Sequence, residues 1–106
     1  MARKSLQFTE GEFGFTHLFH IFEEDGTAAV ISGFTGVRLV IYDEVGGTAK
    51  LNITTNLVIN DPDVEWSVQD GQTDFNGTFT ASIHLTGSGV NEKVFQFPAI
   101  VAKKLV

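Results

Sequence analysis

Cysteine is absent from the 106 residues. Neither a disulfide framework nor a zinc–thiolate site can be built from such a chain. Proline occurs twice, as Pro62 and Pro98, and Trp, Tyr and Met once each. No run approaches the roughly 18 apolar residues of a membrane-spanning helix. Positive charge is scarce: seven bases stand against 13 acids, a formal net charge of −6. A chain of that sign repels nucleic acid and anionic membranes, so neither is expected as a partner. Met1-Ala2-Arg3-Lys4 is basic, but a polar stretch holding Glu10 and Glu12 follows it, which does not read as a secretory signal. The sequons Asn52-Ile53-Thr54 and Asn76-Gly77-Thr78 are then read as chance matches.

The few bases are unevenly placed. Arg3, Lys4, Lys103 and Lys104 lie at the two ends, leaving three bases against 13 acids over residues 5–102, a net −10. The basic ends read as solvated tails or, more sharply, as segments that dock on an acidic neighbour. The length suits one domain, residues 1–106, large enough to bury a core without staples.

Eleven glycines punctuate short apolar runs, which is the pattern of an all-β chain. Residues 4–9 read as a first strand and 13–22 as a second. In the second, Phe13, Phe15, His17, Phe19 and Ile21 share one face, yet Leu18 and Phe22 lie on the other. Such a strand is covered on both faces or meets another subunit. Asp25-Gly26-Thr27 is a turn, since Asp-Gly supplies the backbone angles of a reversal. Residues 35–43 alternate Val37, Leu39 and Ile41 against Arg38, Val40 and Tyr42. Gly46-Gly47 turns the chain into strands at 48–53 and 55–59. After the Asn60–Asp63 loop, Val64, Trp66 and Val68 share one face.

Residues 77–86 alternate most clearly, with Phe79, Ala81, Ile83 and Leu85 inward and Thr78, Thr80, Ser82 and His84 outward. Gly87-Ser88-Gly89 closes a hairpin to residues 90–97. Pro98 is expected to end pairing on one side, or to mark an edge or bulge. Residues 99–102 then form a last short strand with an open edge. Helix is nearly absent. Seven to eight short strands without a Cys-Trp-Cys pattern predict an immunoglobulin-like antiparallel β-sandwich that is not an antibody-type domain.

Chemistry is harder to find. His17 and His20 are three apart on one strand and so point to opposite faces, whereas a metal pair on a strand wants a spacing of two. No Gly-x-Ser-x-Gly elbow, phosphate loop or dinucleotide motif occurs. Glu65 alternates away from Trp66 and reads as a solvated strand residue rather than a catalytic acid. Asp61, Asp63, Asp70 and Asp74 lack the calcium-loop pattern and flank a strand, so they read as turn formers. Catalytic residues, metal ligands and cofactors are therefore all read as none. Ten phenylalanines beside one Tyr and one Trp favour core or protein contact over a sugar platform. Phe15, Phe19, Phe79, Phe95, Phe97 and Trp66 are the leading core candidates. Phe13, Phe22, Phe34 and Phe75 could serve core or surface.

Asp25-Gly26-Thr27 leads through Ile31-Ser32-Gly33 into the Val37-Leu39-Ile41 strand. Later, Asn76-Gly77-Thr78-Phe79-Thr80-Ala81 leads through a hairpin to Val94-Phe95-Gln96-Phe97-Pro98. This order resembles the N-terminal domain of phage upper baseplate proteins and related small phage tail modules of immunoglobulin-like fold. It departs at Ile31-Ser32-Gly33, where that family favours Leu-Thr-Gly. The resemblance implies a standalone, non-enzymatic virion component of the tail, baseplate or head–tail region. Such a protein is made in the host cytoplasm, contacts other virion proteins and forms a homo-oligomer. The expected interface residues are Phe13, Leu18, Phe22, Ile100, Val101, Lys103 and Lys104. The rival class is a small module binding carbohydrate or a cell-surface ligand, which needs Trp66 or Tyr42 exposed on a shallow face.

Overall fold

A computed structural model describes residues 6–23, 25–43, 47–87 and 89–103. Among the described residues eight strands form two sheets: β1 (Leu6–Thr9), β2 (Thr16–His20), β3 (Gly36–Asp43), β4 (Ala49–Ile53), β5 (Leu57–Asn60), β6 (Asp63–Ser67), β7 (Gly77–Gly87) and β8 (Val90–Ala102). The larger sheet has the order β1-β8-β7-β3-β4 and the smaller β2-β6-β5. No helix occurs among the described residues. The chain is thus an all-β sandwich, as its alternation predicts.

Alternation decides which side chains are buried. Leu39 and Ile41 of β3, Phe79, Ala81, Ile83 and Leu85 of β7, and Phe95, Phe97, Ala99 and Val101 of β8 line the inner face of the large sheet. Phe19, Val64 and Trp66 come from the small sheet, with Ile21 and Val68 just beyond its strands. Rings lock the two layers together. Phe8 of β1 meets Trp66 of β6 edge-on with centroids 5.8 Å apart, and Phe19 of β2 lies 5.3 Å from Phe97 of β8. Phe15, Phe34 and Phe75 are partly buried against this core, while Phe13 and Phe22 are exposed.

The turns follow local chemistry. Glu23 N–H donates to Thr27 O at 2.8 Å, Gly26 adopts φ 89°, and Asp25 Oδ1 accepts from both Thr27 N (3.0 Å) and Thr27 Oγ1 (2.7 Å). Those bonds hold the Asp25 carboxyl below its ordinary range. Asp43 N–H donates to Thr48 O at 2.8 Å, closing the β3–β4 hairpin around Gly47. Glu44, Val45 and Gly46 of that turn lie outside the described residues.

Three expectations need correction. First, the pairing is not wholly antiparallel: β1 runs parallel to β8, with Leu6 opposite Ala99 and Thr9 opposite Ala102. The edge at residues 99–102 is therefore covered rather than open. Second, residues 99–102 are not a separate last strand, because β8 runs as one strand of 13 residues and Pro98 stays opposite Thr80 of β7. Pairing does end on one side at Pro98, as expected of a residue without an N–H, since the ladder with β1 begins only at Ala99. Third, outward-pointing Ser82 is buried. Gln96 Nε2 donates to Tyr42 Oη at 2.9 Å, and β7 lies between the strands carrying those two residues. The bond crosses over β7 and covers Ser82.

His17 follows the inward face of β2 and packs edge-on against Phe19 at 4.7 Å. Loss of hydration, with His20 adding to it, lowers its pKa from the ordinary 6.5. The unfolded chain then binds a proton that the folded chain resists. This contribution to stability is complete above pH 6.5 and is lost as pH falls towards the lower folded value. Urea midpoints are expected to drop between pH 7.5 and pH 5, and His17→Leu is expected to flatten that drop. An unchanged slope in His17→Leu would refute the assignment.

Candidate functional site

Two surfaces of the sandwich carry features that folding alone does not explain. One is the outer face of the small sheet. Leu18 of β2, Glu65 of β6 and Val58 of β5 lie in register across it. Leu18 is 43% exposed and Val58 55%, with the half-buried Glu65 between them. Asn60 Nδ2 donates to Glu65 Oε2 at 2.9 Å. One residue pair along, His20 Nδ1 lies 2.7 Å from Asp63 Oδ1. Phe22 is exposed and continues the even-numbered stripe of Leu18 and His20, its ring 6.4 Å from that of His20. The surface is an apolar stripe interrupted by acids, on a sheet whose two edge strands, β2 and β5, are both short.

The other surface is a groove of about 420 Å³ on the large sheet. It is lined by the start of β3 (Gly36, Arg38), Thr54 of the β4–β5 connection, Leu57 of β5, β7 (His84, Thr86) and Glu92 of β8. Arg38 and His84 are direct cross-strand neighbours. Arg38 Nη1 donates to Asn52 Oδ1 at 2.9 Å, and His84 Nδ1 lies 3.9 Å from Glu92 Oε1. Thr86 Oγ1 occupies the space where a side chain at position 36 would begin, so a larger residue there would have to turn that hydroxyl aside. A second hollow of about 340 Å³ beside β1 holds Gln7, Thr9, Glu12 and Ile100. Its carboxylate is engaged, accepting from Thr9 N–H at 2.6 Å.

The residues expected at an interface separate into three groups. Phe13, Leu18, Phe22 and Ile100 are exposed, as is Lys103. Lys104 lies outside the described residues. Val101 is only 3% exposed and is corrected to a core residue, because alternation in β8 turns it to the inner face of the sheet, beside Phe8 of β1. The exposed residues do not form one patch: Leu18 belongs to the small sheet, with Phe22 just beyond the end of β2, and Ile100 belongs to the large one. Val58 was not anticipated, although its place in an alternating β5 could have marked it.

Trp66 is 0% exposed and donates from Nε1 to Gln72 Oε1 at 3.0 Å, so it offers no sugar platform. Asp61 accepts from Ile31 N–H at 2.7 Å and Asp63 pairs with His20, which gives these two acids structural partners. Asp61 and Asp63 lie at the start of β6, and Asp70 and Asp74 lie beyond its end. Among the described residues, no three His, Asp or Glu side chains converge as a metal site would require.

No family model matches this chain. No curated protein matches it either. A solved structure that it resembles is CopC from Methylosinus trichosporium OB3b, with a TM-score of 0.52 at 7% identity, covering 100% of this chain and 89% of that one. At that identity the likeness concerns the fold alone. It overturns the resemblance to phage upper baseplate proteins, since neither a family model nor this structural likeness leads to them. The residues that suggested that family build a turn (Asp25-Gly26-Thr27), a strand start (Asn76-Gly77-Thr78) and a strand interior (Phe97-Pro98) of kinds that many unrelated sandwiches need. The chain shares a sandwich architecture with CopC.

Proposed function

We propose that this chain is a non-enzymatic structural protein that assembles with copies of itself, the outer face of the small sheet receiving the basic, apolar end of a neighbouring copy. The observation that carries this reading is the Leu18–Glu65–Val58 row. A half-buried carboxylate flanked by exposed aliphatic groups suits a cation whose own stem is apolar. Asp63 adds a second negative charge beside it, facing His20. The sequence supplies matching chemistry in Lys103-Lys104-Leu105-Val106, and few other bases are available. The edges of β2 and β5 flank the same surface and give an incoming extended segment backbone groups to pair with.

A contact between two different patches is heterologous, so it builds rings or filaments rather than a closed two-fold dimer. It should also be screened by salt. Light scattering behind size exclusion is the test, at ionic strengths of about 0.01 M and about 1 M, where screening lengths are about 30 Å and about 3 Å. The mass is expected to rise with protein concentration at low salt and to return to the 11.6 kDa monomer at high salt. A monomer at every concentration in both buffers would refute self-assembly.

A further inference from the structure

We propose that the groove over Gly36 and Arg38 binds a small oxyanion, a carboxylate or phosphate group, with Arg38 as its principal contact. This surface lies on the opposite sheet from the assembly face and does not depend on that reading. Three observations carry it. Arg38 is one of only three bases between residues 5 and 102, and it lies on the floor of the groove. Its guanidinium has five N–H donors, of which one serves Asn52 Oδ1. Asn52 thus anchors the fork and leaves its other donors to a ligand. The hydroxyls of Thr35, Thr54 and Thr86 also line the groove, and none makes a side-chain hydrogen bond among the described residues.

The groove thus offers one positive charge, the guanidinium of Arg38, and three hydroxyls that can each donate. Its one carboxylate, Glu92, stands beside His84 at 3.9 Å. A neutral sugar would leave the guanidinium charge without a counter-charge. An oxyanion only accepts, and the planar fork of arginine fits carboxylate and phosphate oxygens two at a time. Thr86 lies opposite Gly36 in the β3–β7 ladder, one same-face step from the Arg38–His84 pair, and its hydroxyl fills the space that the glycine leaves. Glu92 opposes the ligand's charge, so the affinity is expected to be modest, with a Kd on the order of 1 mM.

The test is an amide-resolved NMR titration of the full chain with sodium phosphate and, separately, sodium acetate, against sodium chloride at matched ionic strength. Saturable shifts are expected at Gly36, Arg38 and Thr86. Arg38→Gln should weaken binding about tenfold or more, and Arg38→Lys should weaken it less, since charge remains while the fork is lost. Glu92→Gln should tighten it. Saturation by acetate alone assigns a carboxylate ligand, and by phosphate alone a phosphate; either upholds the site. Shifts that chloride reproduces, or that survive unchanged in Arg38→Gln, would overturn it. Arg38 is exposed, so its variants should keep the wild-type spectrum elsewhere, which separates a lost ligand from a lost fold.

Discussion

Trp66→Ala is expected to lower folding stability by about 3–5 kcal/mol, the range for deleting a fully buried aromatic side chain. A typical domain has only about 5–15 kcal/mol in total, so this one change should bring the protein close to unfolding. The ring has no exposed surface and packs edge-on against Phe8, tying β6 of the small sheet to β1 of the large one. Its indole N–H is also spent: Gln72 Oε1 accepts it at 3.0 Å while accepting Gln69 N–H at 2.9 Å. Trp66→Phe keeps most of the packing and loses that bond, so it should cost much less than alanine, with about 1 kcal/mol assignable to the hydrogen bond. Urea titration measures both, and the expected signature is a lower midpoint at an unchanged slope. A cost for alanine below about 1.5 kcal/mol would mean that the two sheets are not held together at this point. The native fluorescence should be blue-shifted and indifferent to added sugars.

The second large effect concerns assembly. Leu18→Glu combined with Val58→Glu is expected to weaken self-association more than tenfold. Both changes put charge on either side of Glu65, so any incoming apolar stem meets carboxylates where it had aliphatic contact. Both side chains are exposed but lie directly opposite Glu65, and like charges opposite one another in a sheet cost up to about 1 kcal/mol a pair. The double variant should therefore unfold at a somewhat lower midpoint yet remain folded while losing its concentration-dependent mass. If it assembles like the wild type, the small-sheet face is not the contact. Lys103→Glu with Lys104→Glu should give the same loss from the other side of the interface.

The strands that alternate cleanly were legible in the sequence. β3 and β7 sit within a residue or so of their expected limits, because Val37-Leu39-Ile41 and Phe79-Ala81-Ile83-Leu85 each encode one buried face. The segment 13–22 was legible only in part: its apolar residues on both faces imply two covered faces or one that meets another subunit, and the structure leaves Leu18 and Phe22 exposed while the strand itself is shorter, Thr16–His20. What stayed hidden depends on which strands meet. Nothing local to Leu6–Thr9 says that it pairs parallel to residues 99–102, and so nothing marked Val101 as core. Thr73 looks like a polar turn residue, yet it is fully buried. Its hydroxyl donates to Glu12 O at 2.6 Å, across 61 residues of chain. The groove was hidden for the same reason. Arg38 and His84 were both read as outward-facing, but only the β3–β7 register makes them neighbours.

The most direct measurement mixes two blocked proteins. One carries Leu18→Glu and Val58→Glu, which closes the receiving face; the other carries Lys103→Glu and Lys104→Glu, which closes the inserting end. Each alone should be monomeric at low salt. Mixed in equal amounts, they retain one open face and one open end between them, and should form a discrete heterodimer of about twice the monomer mass, as a head-to-tail contact requires. A mixture that stays monomeric while the wild type assembles, or single variants that assemble unimpaired, would contradict the contact.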